Sequence, residues 1–421
     1  MRTPRHLAAC VLLGATAVSA CDAPEPSAPG RPATRAGVVT AVNAADQATL
    51  GKAIFFDVTL SANGNQSCAS CHAPAAGWTG PIASVNAAGA VYEGSIAGRF
   101  GNRKPPSSAY ATPSPVFHLA LDRRDALFVG GNFWDGRATG ERLGSPAAEQ
   151  ALGPFLNPLE QALTTPADVV GRICSGTYAE LFRDVWGADI CDAANGADAY
   201  DAVGLSIAAF EGSVESNAFT SKYDLYLAGA AALTHDERLG LNLFRGKGKC
   251  AACHVLDGAA PLLTDFTFDN LGIPRNPENP WYGMQAEFNP GGSTWVDSGL
   301  AAFLVTTSQY AALADDNRGK HKVPSLRNVD LRPTSGFVKA YGHNGYFKTL
   351  EGIVHFYNTR DAKPACPGSY TEAQALAADC WPAPEVAANV NTAELGNLHL
   401  TPRQEQAIVA FLRTLSDGYQ P

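Results

Sequence analysis

Methionine is almost missing from this chain: of 421 residues only Met1 and Met284 carry a thioether, so a site that needs one has a single candidate after the first residue. Positive charge is also short. The 31 Lys and Arg face 40 Asp and Glu, a formal charge of -9. The cations are not clustered, which excludes a nucleic-acid groove and a polybasic membrane patch and leaves a positively charged partner protein open. No window beyond the N-terminus is apolar enough to cross a bilayer, which takes roughly 20 apolar residues. No local nucleophile motif is recognisable, which speaks against a hydrolase. Histidine is absent between His72 and His118, and the loop over 73–102 holds no methionine.

What is present begins with length: 421 residues exceed one typical core, so two domains are expected. The N-terminus combines Arg2 and Arg5, an apolar stretch from Leu7 to Val18, and Ser19 and Ala20 before Cys21, the pattern of an export signal over 1–20. Val-Ser-Ala-Cys is similar to a bacterial lipobox, with Cys21 as the acylated first mature residue. Ordinary cleavage near Ala20 is the plainer alternative. Residues 21–37 are then a lipidated cysteine and a Pro/Ala-rich tether, too poor in large apolar residues to pack. Any membrane contact comes through that lipid, and the expected location is the periplasm.

Ten cysteines in an exported chain call for partners. Cys10 leaves with the signal and Cys21 goes to lipid. Cys174 with Cys191, and Cys366 with Cys380, lie close enough in sequence for two local disulfides. The remaining four fall in "CASCH" (Cys68, Cys71, His72) and "CAACH" (Cys250, Cys253, His254). This motif sets two thiols to form thioethers with haem vinyl groups, followed by a histidine that reaches the iron. Zinc, the competing use of Cys-x-x-Cys, needs further ligands at each site. Two covalently bound c-type haems follow, with His72 and His254 as proximal ligands.

The approach to each motif repeats: "LGKAIF" from Leu50 and "LGLNLF" from Leu239 both start a helical stretch that a Gly-containing turn leads into the haem site. Later helices correspond as well. "DAVGLSIAAFEGSV" carries Val203, Ile207 and Phe210 at helical spacing. "TPRQEQAIVAFLRTL" opens with a Thr N-cap and a Pro, then sets Ile408, Phe411, Leu412 and Leu415 on one face. The fold expected is mainly α: two cytochrome c-like haem domains with long loops and few short strands, over 38–233 and 234–421.

With "NFWDGRA" from Asn132, "EQALGPFLNPLE" from Glu149, "KVPSLRNVDL" from Lys322 and "YGHNGYFKTLEGIVHFYN" from Tyr341, the chain resembles the bacterial di-haem cytochrome c peroxidase family, including its MauG-type branch. The resemblance makes Trp134 the electron relay between the haems, although the segment from Trp134 to Gln150 is longer than usual in the family. It makes Gln150 and Glu160 the polar pair of the peroxide pocket, and Pro154 the residue that keeps the first haem open. The plainer readings are a buried aromatic for Trp134 and a solvated helix-start carboxylate for Glu160. Many family peroxidases block the first haem with a histidine shortly after the motif; this chain has none there, and His118 reads as a packed or surface residue.

For the second haem the candidate distal ligands are Met284, His355 and Tyr357. The family interval from His343 falls on Tyr357, and His355 lies roughly 200° around a helix from it. An anionic oxygen also suits ferric iron, whereas methionine raises the potential. A calcium ion between the domains is implied too, but its Asn position falls on Tyr110, which leaves only backbone carbonyls and water to serve it. The implied activity is reduction of hydrogen peroxide at the His72 haem. Electrons would come from a small periplasmic cytochrome c or cupredoxin through Trp134 and the His254 haem. The alternatives are a MauG-like enzyme that uses high-valent iron to oxidise a Trp or Tyr of a partner protein, and, from another class, a non-catalytic di-haem electron carrier.

Overall fold

Small residues decide how the helices cross. A Cβ added at Gly51 would overlap the carbonyl of Ser206, and one at Gly240 would overlap that of Ala407, so each glycine lets two helices meet at backbone distance. These are the two Leu-Gly positions that repeat in the sequence, and the repeat is a repeated helix pair.

The computed structural model describes residues 43–122 and 125–421; the signal segment, Cys21 and the tether lie outside them. Among the described residues the α-helices run in order as α1 (Ala44–Phe55), α2 (Ala83–Ala87), α3 (Pro146–Leu156), α4 (Pro166–Ser175), α5 (Ala179–Trp186), α6 (Gly196–Glu211), α7 (Lys222–Leu227), α8 (His235–Arg245), α9 (Leu300–Leu304), α10 (Leu350–Thr359), α11 (Glu372–Ala377) and α12 (Pro402–Arg413). Strands are short: β1 (His118–Asp122) pairs antiparallel with β2 (Asp125–Val129), and β3 (Phe268–Asp269) with β4 (His321–Lys322). The architecture is mainly helical, with long loops.

Capping follows the sequence. Thr234 and Thr401 form capping boxes with Glu237 and Gln404 at the starts of α8 and α12, and Pro402 takes the first helical position of α12.

Two main cores result. In one, α1, α3, α4 and α6 bury Leu50, Phe55, Phe155, Val203, Ile207 and Phe210. In the other, α8, α10 and α12 bury Phe244, Leu350, Phe356, Ile408, Phe411 and Leu412, joined by Tyr223 and Leu233 from the stretch before the expected junction. Each large side chain so buried contributes roughly 1.5–3 kcal/mol relative to exposure. A smaller third cluster packs Phe117, just before β1, and Phe128 of β2 on Phe268, Leu300 and Leu304. The disulfides Cys174–Cys191 and Cys366–Cys380 are both formed.

Candidate active site

Both Cys-x-x-Cys-His segments fold as a single 3-10 turn, Cys68–Ser70 and Cys250–Ala252. In each the histidine amide donates back to the first cysteine carbonyl at 2.9 Å, so two thiols and an imidazole reach one cavity from one turn. Lys249 enters the second turn with φ 55°. All four thiols are free of disulfides. Burial pushes the Cys71 and Cys250 thiols up to about 12.

His72 Nδ1 lies 3.3 Å from Trp78 O, and His254 Nδ1 lies 2.8 Å from Leu263 O. A backbone carbonyl can only accept, so it fixes the proton on Nδ1 and leaves the Nε2 lone pair for a metal. Burial lowers both imidazoles, His72 to about 4, which keeps them neutral and able to ligate. This donor set fits a haem on each turn. Near Cys253, the Asn391 amide donates to Asp269 Oδ2 at 2.6 Å and to Glu394 Oε2 at 2.7 Å.

The first cavity gathers the residues expected at a peroxide site. Ser145 caps α3 and Pro146 starts it, and the helix carries Gln150 and Pro154 to the wall. The turn that follows presents Glu160, whose Oε1 accepts from Asn157 Nδ2 at 2.9 Å. Burial raises the Glu160 carboxyl above its usual range, opposed by Arg137 and by the Asn157 bond. The long segment between Trp134 and Gln150 is ordered by Glu149, whose carboxylate accepts from the amides of Gly140, Arg142 and Leu143. Among the described residues that line this cavity, His72 is the one histidine and there is no methionine. His118 is exposed on β1, with Nδ1 2.8 Å from Val116 O.

One wall residue went unnoticed in the sequence. Glu211, at the end of α6, is 3 % exposed, and burial raises it to about 8. Its helix was recognisable, but nothing in a lone glutamate on an apolar face signals a cavity.

The wall of the second cavity includes Tyr357 from α10 together with the His254 turn. Its phenol has no hydrogen-bond partner among the described residues, and burial, then Cys250 and Asp269, raise its pKa. His355 faces the other way: Nδ1 lies 3.0 Å from a Glu405 oxygen on α12. Met284 follows a 3-10 turn at Pro280–Gly283, is buried, and is not part of the cavity wall. Tyr110 is buried with its hydroxyl donating to Asp417 Oδ2 at 2.7 Å and accepting from the Phe219 amide at 2.9 Å.

A buried polar group in the same wall also escaped the sequence reading. His321 and His343 stack with ring centroids 3.5 Å apart and planes 9° from parallel. His321 Nε2 faces Asp297 at 3.4 Å, and His343 Nε2 faces Glu385 at 3.9 Å. An ion in one ring plane would lie well outside the other, and Arg103 holds both Asp297 oxygens at 2.7 Å, so the group is not built to share a metal. The four residues come from separate segments, which leaves no sequence motif.

Trp134 lines both cavities. Its Nε1 donates to Lys104 O at 2.8 Å, and the Lys104 amide donates to His343 O at 2.9 Å.

The family model described as "Di-haem cytochrome c peroxidase" matches residues 45–232. The methylamine utilization protein MauG of Paracoccus denitrificans is 34% identical over 398 residues, 92% of this chain and 93% of that protein. Cytochrome c551 peroxidase of Nitrosomonas europaea is 30% identical over 315 residues, 74% of this chain and 72% of that one. Among solved structures, the diheme peroxidase BthA from Burkholderia thailandensis superposes with a TM-score of 0.69 at 29% identity, covering 88% of this chain and 86% of its own. The chain therefore belongs to the di-haem cytochrome c peroxidase family, as an oxidoreductase that acts with peroxide and carries two c-type haems.

Proposed function

We propose that this protein reduces hydrogen peroxide in the cavity that holds His72, with electrons delivered through Trp134 from the His254 cavity. The observation that carries this reading is the convergence of Gln150, Pro154 and Glu160 on that cavity, with Trp134 in the wall common to both. Cys68, Cys71 and His72 would hold one haem; Cys250, Cys253, His254 and Tyr357 would hold the other. The haem iron supplies redox chemistry and a position for peroxide. The protein must move a proton from the inner to the outer peroxide oxygen and stabilise the departing hydroxide. Glu160, made more basic by burial, carries the proton; the Gln150 amide orients the substrate; Asn157 holds the Glu160 carboxyl in place. Residues 38–233 form the peroxide domain and 234–421 the electron-transfer domain. The N-terminal pattern supports a periplasmic lipoprotein anchored at Cys21, and the donor class is a small periplasmic cytochrome c or cupredoxin.

A second reading has its own support. The 34% identity to a MauG across most of both chains, together with Tyr357 in the second cavity, favours oxidation of a Trp or Tyr in a partner protein. One experiment separates the two: the ferric protein is mixed with a slight excess of hydrogen peroxide, with and without reduced cytochrome c. Rapid turnover that needs the reductant supports the peroxidase. A long-lived oxidised state that reductant barely drains supports the second reading, and no spectral change in either mixture refutes both.

A further inference from the structure

Two lysines in the wall of the second cavity are buried without a counter-charge. Lys104 is 8% exposed and Lys339 is 4% exposed. Lys104 Nζ donates to Thr79 Oγ1 at 3.1 Å and Pro105 O at 2.8 Å; Lys339 Nζ donates to Asn328 O at 2.7 Å and Leu331 O at 3.1 Å. All four acceptors are neutral, and an ammonium has three N–H groups, so each keeps one to give. Neither lysine joins an ion pair among the described residues. Burial lowers Lys104 to about 8, and burial with the charge of Lys104 lowers Lys339 further, the mark of like charges placed together.

Among the other cations, Arg327 of this wall is paired with Asp224 through Nη1 while its Nη2 is buried without a partner among the described residues, the exposed Lys249 donates to Ala393 O, and Arg103, in the wall of the first cavity, is paired with Asp135 and Asp297. Lys322 donates to Ser114 Oγ and Gly131 O, with its Nζ over the Phe266 ring. Asp330, the carboxylate that acts on Lys339, is held by Arg332 at 2.6 Å. Two desolvated ammoniums in one cavity wall are costly unless an anion meets them.

We propose that Lys104 and Lys339 form a carboxylate receptor in the second cavity, and that it takes the propionates of the haem held there. This rests on the assignment of that haem to Cys250, Cys253 and His254. A haem attached through its vinyl groups keeps its two propionates as free carboxylates and brings them into the same cavity. A small free anion such as acetate has the same chemistry and is the competing source.

The test uses the holoenzyme and its Lys104→Met, Lys339→Met and Lys339→Arg variants, each with intact mass and circular dichroism, and reads the potential of the second haem by spectroelectrochemistry. Loss of one ammonium leaves the propionates less neutralised and favours ferric iron. Each Met variant is expected to shift the ferric/ferrous equilibrium about tenfold toward ferric, about 59 mV for one electron. Lys339→Arg should stay near wild type, and added acetate should change nothing. Met variants that fold and keep the wild-type potential overturn the receptor, and a wild-type potential that follows acetate overturns the propionate assignment. A Cys250→Ala/Cys253→Ala double variant that still carries two haems by mass overturns the cofactor assignment instead.

Discussion

At the scale of single residues, two glutamates in the wall of the first cavity have separate consequences. Glu160→Gln keeps the shape of the first cavity and removes the proposed proton carrier, so peroxide-dependent oxidation should slow by about 10²- to 10⁴-fold with both haems retained, as measured by stopped-flow and intact mass. Glu211 bears on stability. Its folded pKa, raised by burial from 4.5 to about 8, means the folded chain keeps a proton that the unfolded chain loses. Stability is then full below about pH 4.5 and falls as pH rises toward 8, by an amount on the order of a few kcal/mol. Denaturant titrations at pH 5 and pH 8 should show this fall in wild type and a smaller one in Glu211→Gln; equal falls would exclude Glu211 as the cause. The two residues also differ in legibility. Glu160 sits in a recognisable local pattern, whereas Glu211, His321 and Glu385 gain their surroundings only when distant segments fold together.

At the scale of elements, the glycine crossings make a sharp contrast. Gly240→Ala pushes a methyl group into the Ala407 carbonyl, a backbone atom that cannot turn aside, and should cost about 1–3 kcal/mol or more by chemical denaturation. Gly171→Ala, in α4 with open space around it, should be neutral or stabilising by about 0.5–1 kcal/mol. Helix α10 supplies a second contrast, because Tyr357 and His355 leave it in different directions. Tyr357→Phe should change the ferric spectrum of the second haem and raise its potential, while His355→Ala leaves both as they were; electron paramagnetic resonance reads the difference. Elements with apolar periodicity, such as α6 and the capped α12, were readable in advance because the same residues set helix and burial. The segment from Asn276 to Lys322 was not: 3-10 turns, α9 and the two-residue strand β4 carry no period, and their positions depend on contacts such as Asn276 with Asn344.

At the scale of the whole molecule, the wall between the two cavities holds ammoniums from distant parts of the sequence. Tyr110, where the family resemblance would put a calcium ligand, spends its hydroxyl on Asp417 and the Phe219 amide. Prolonged treatment with a calcium chelator is expected to leave both haem spectra and the unfolding midpoint unchanged, and a shift in either would show an ion that matters. That wall also fixes the indole of Trp134, whose N–H is given to the carbonyl of Lys104. A backbone carbonyl can hold that proton in place but is far too weak a base to take it. An electron removed from this ring would therefore leave a charged indole radical with its proton kept, and the hole could pass from one side of the molecule to the other without waiting for any proton to move.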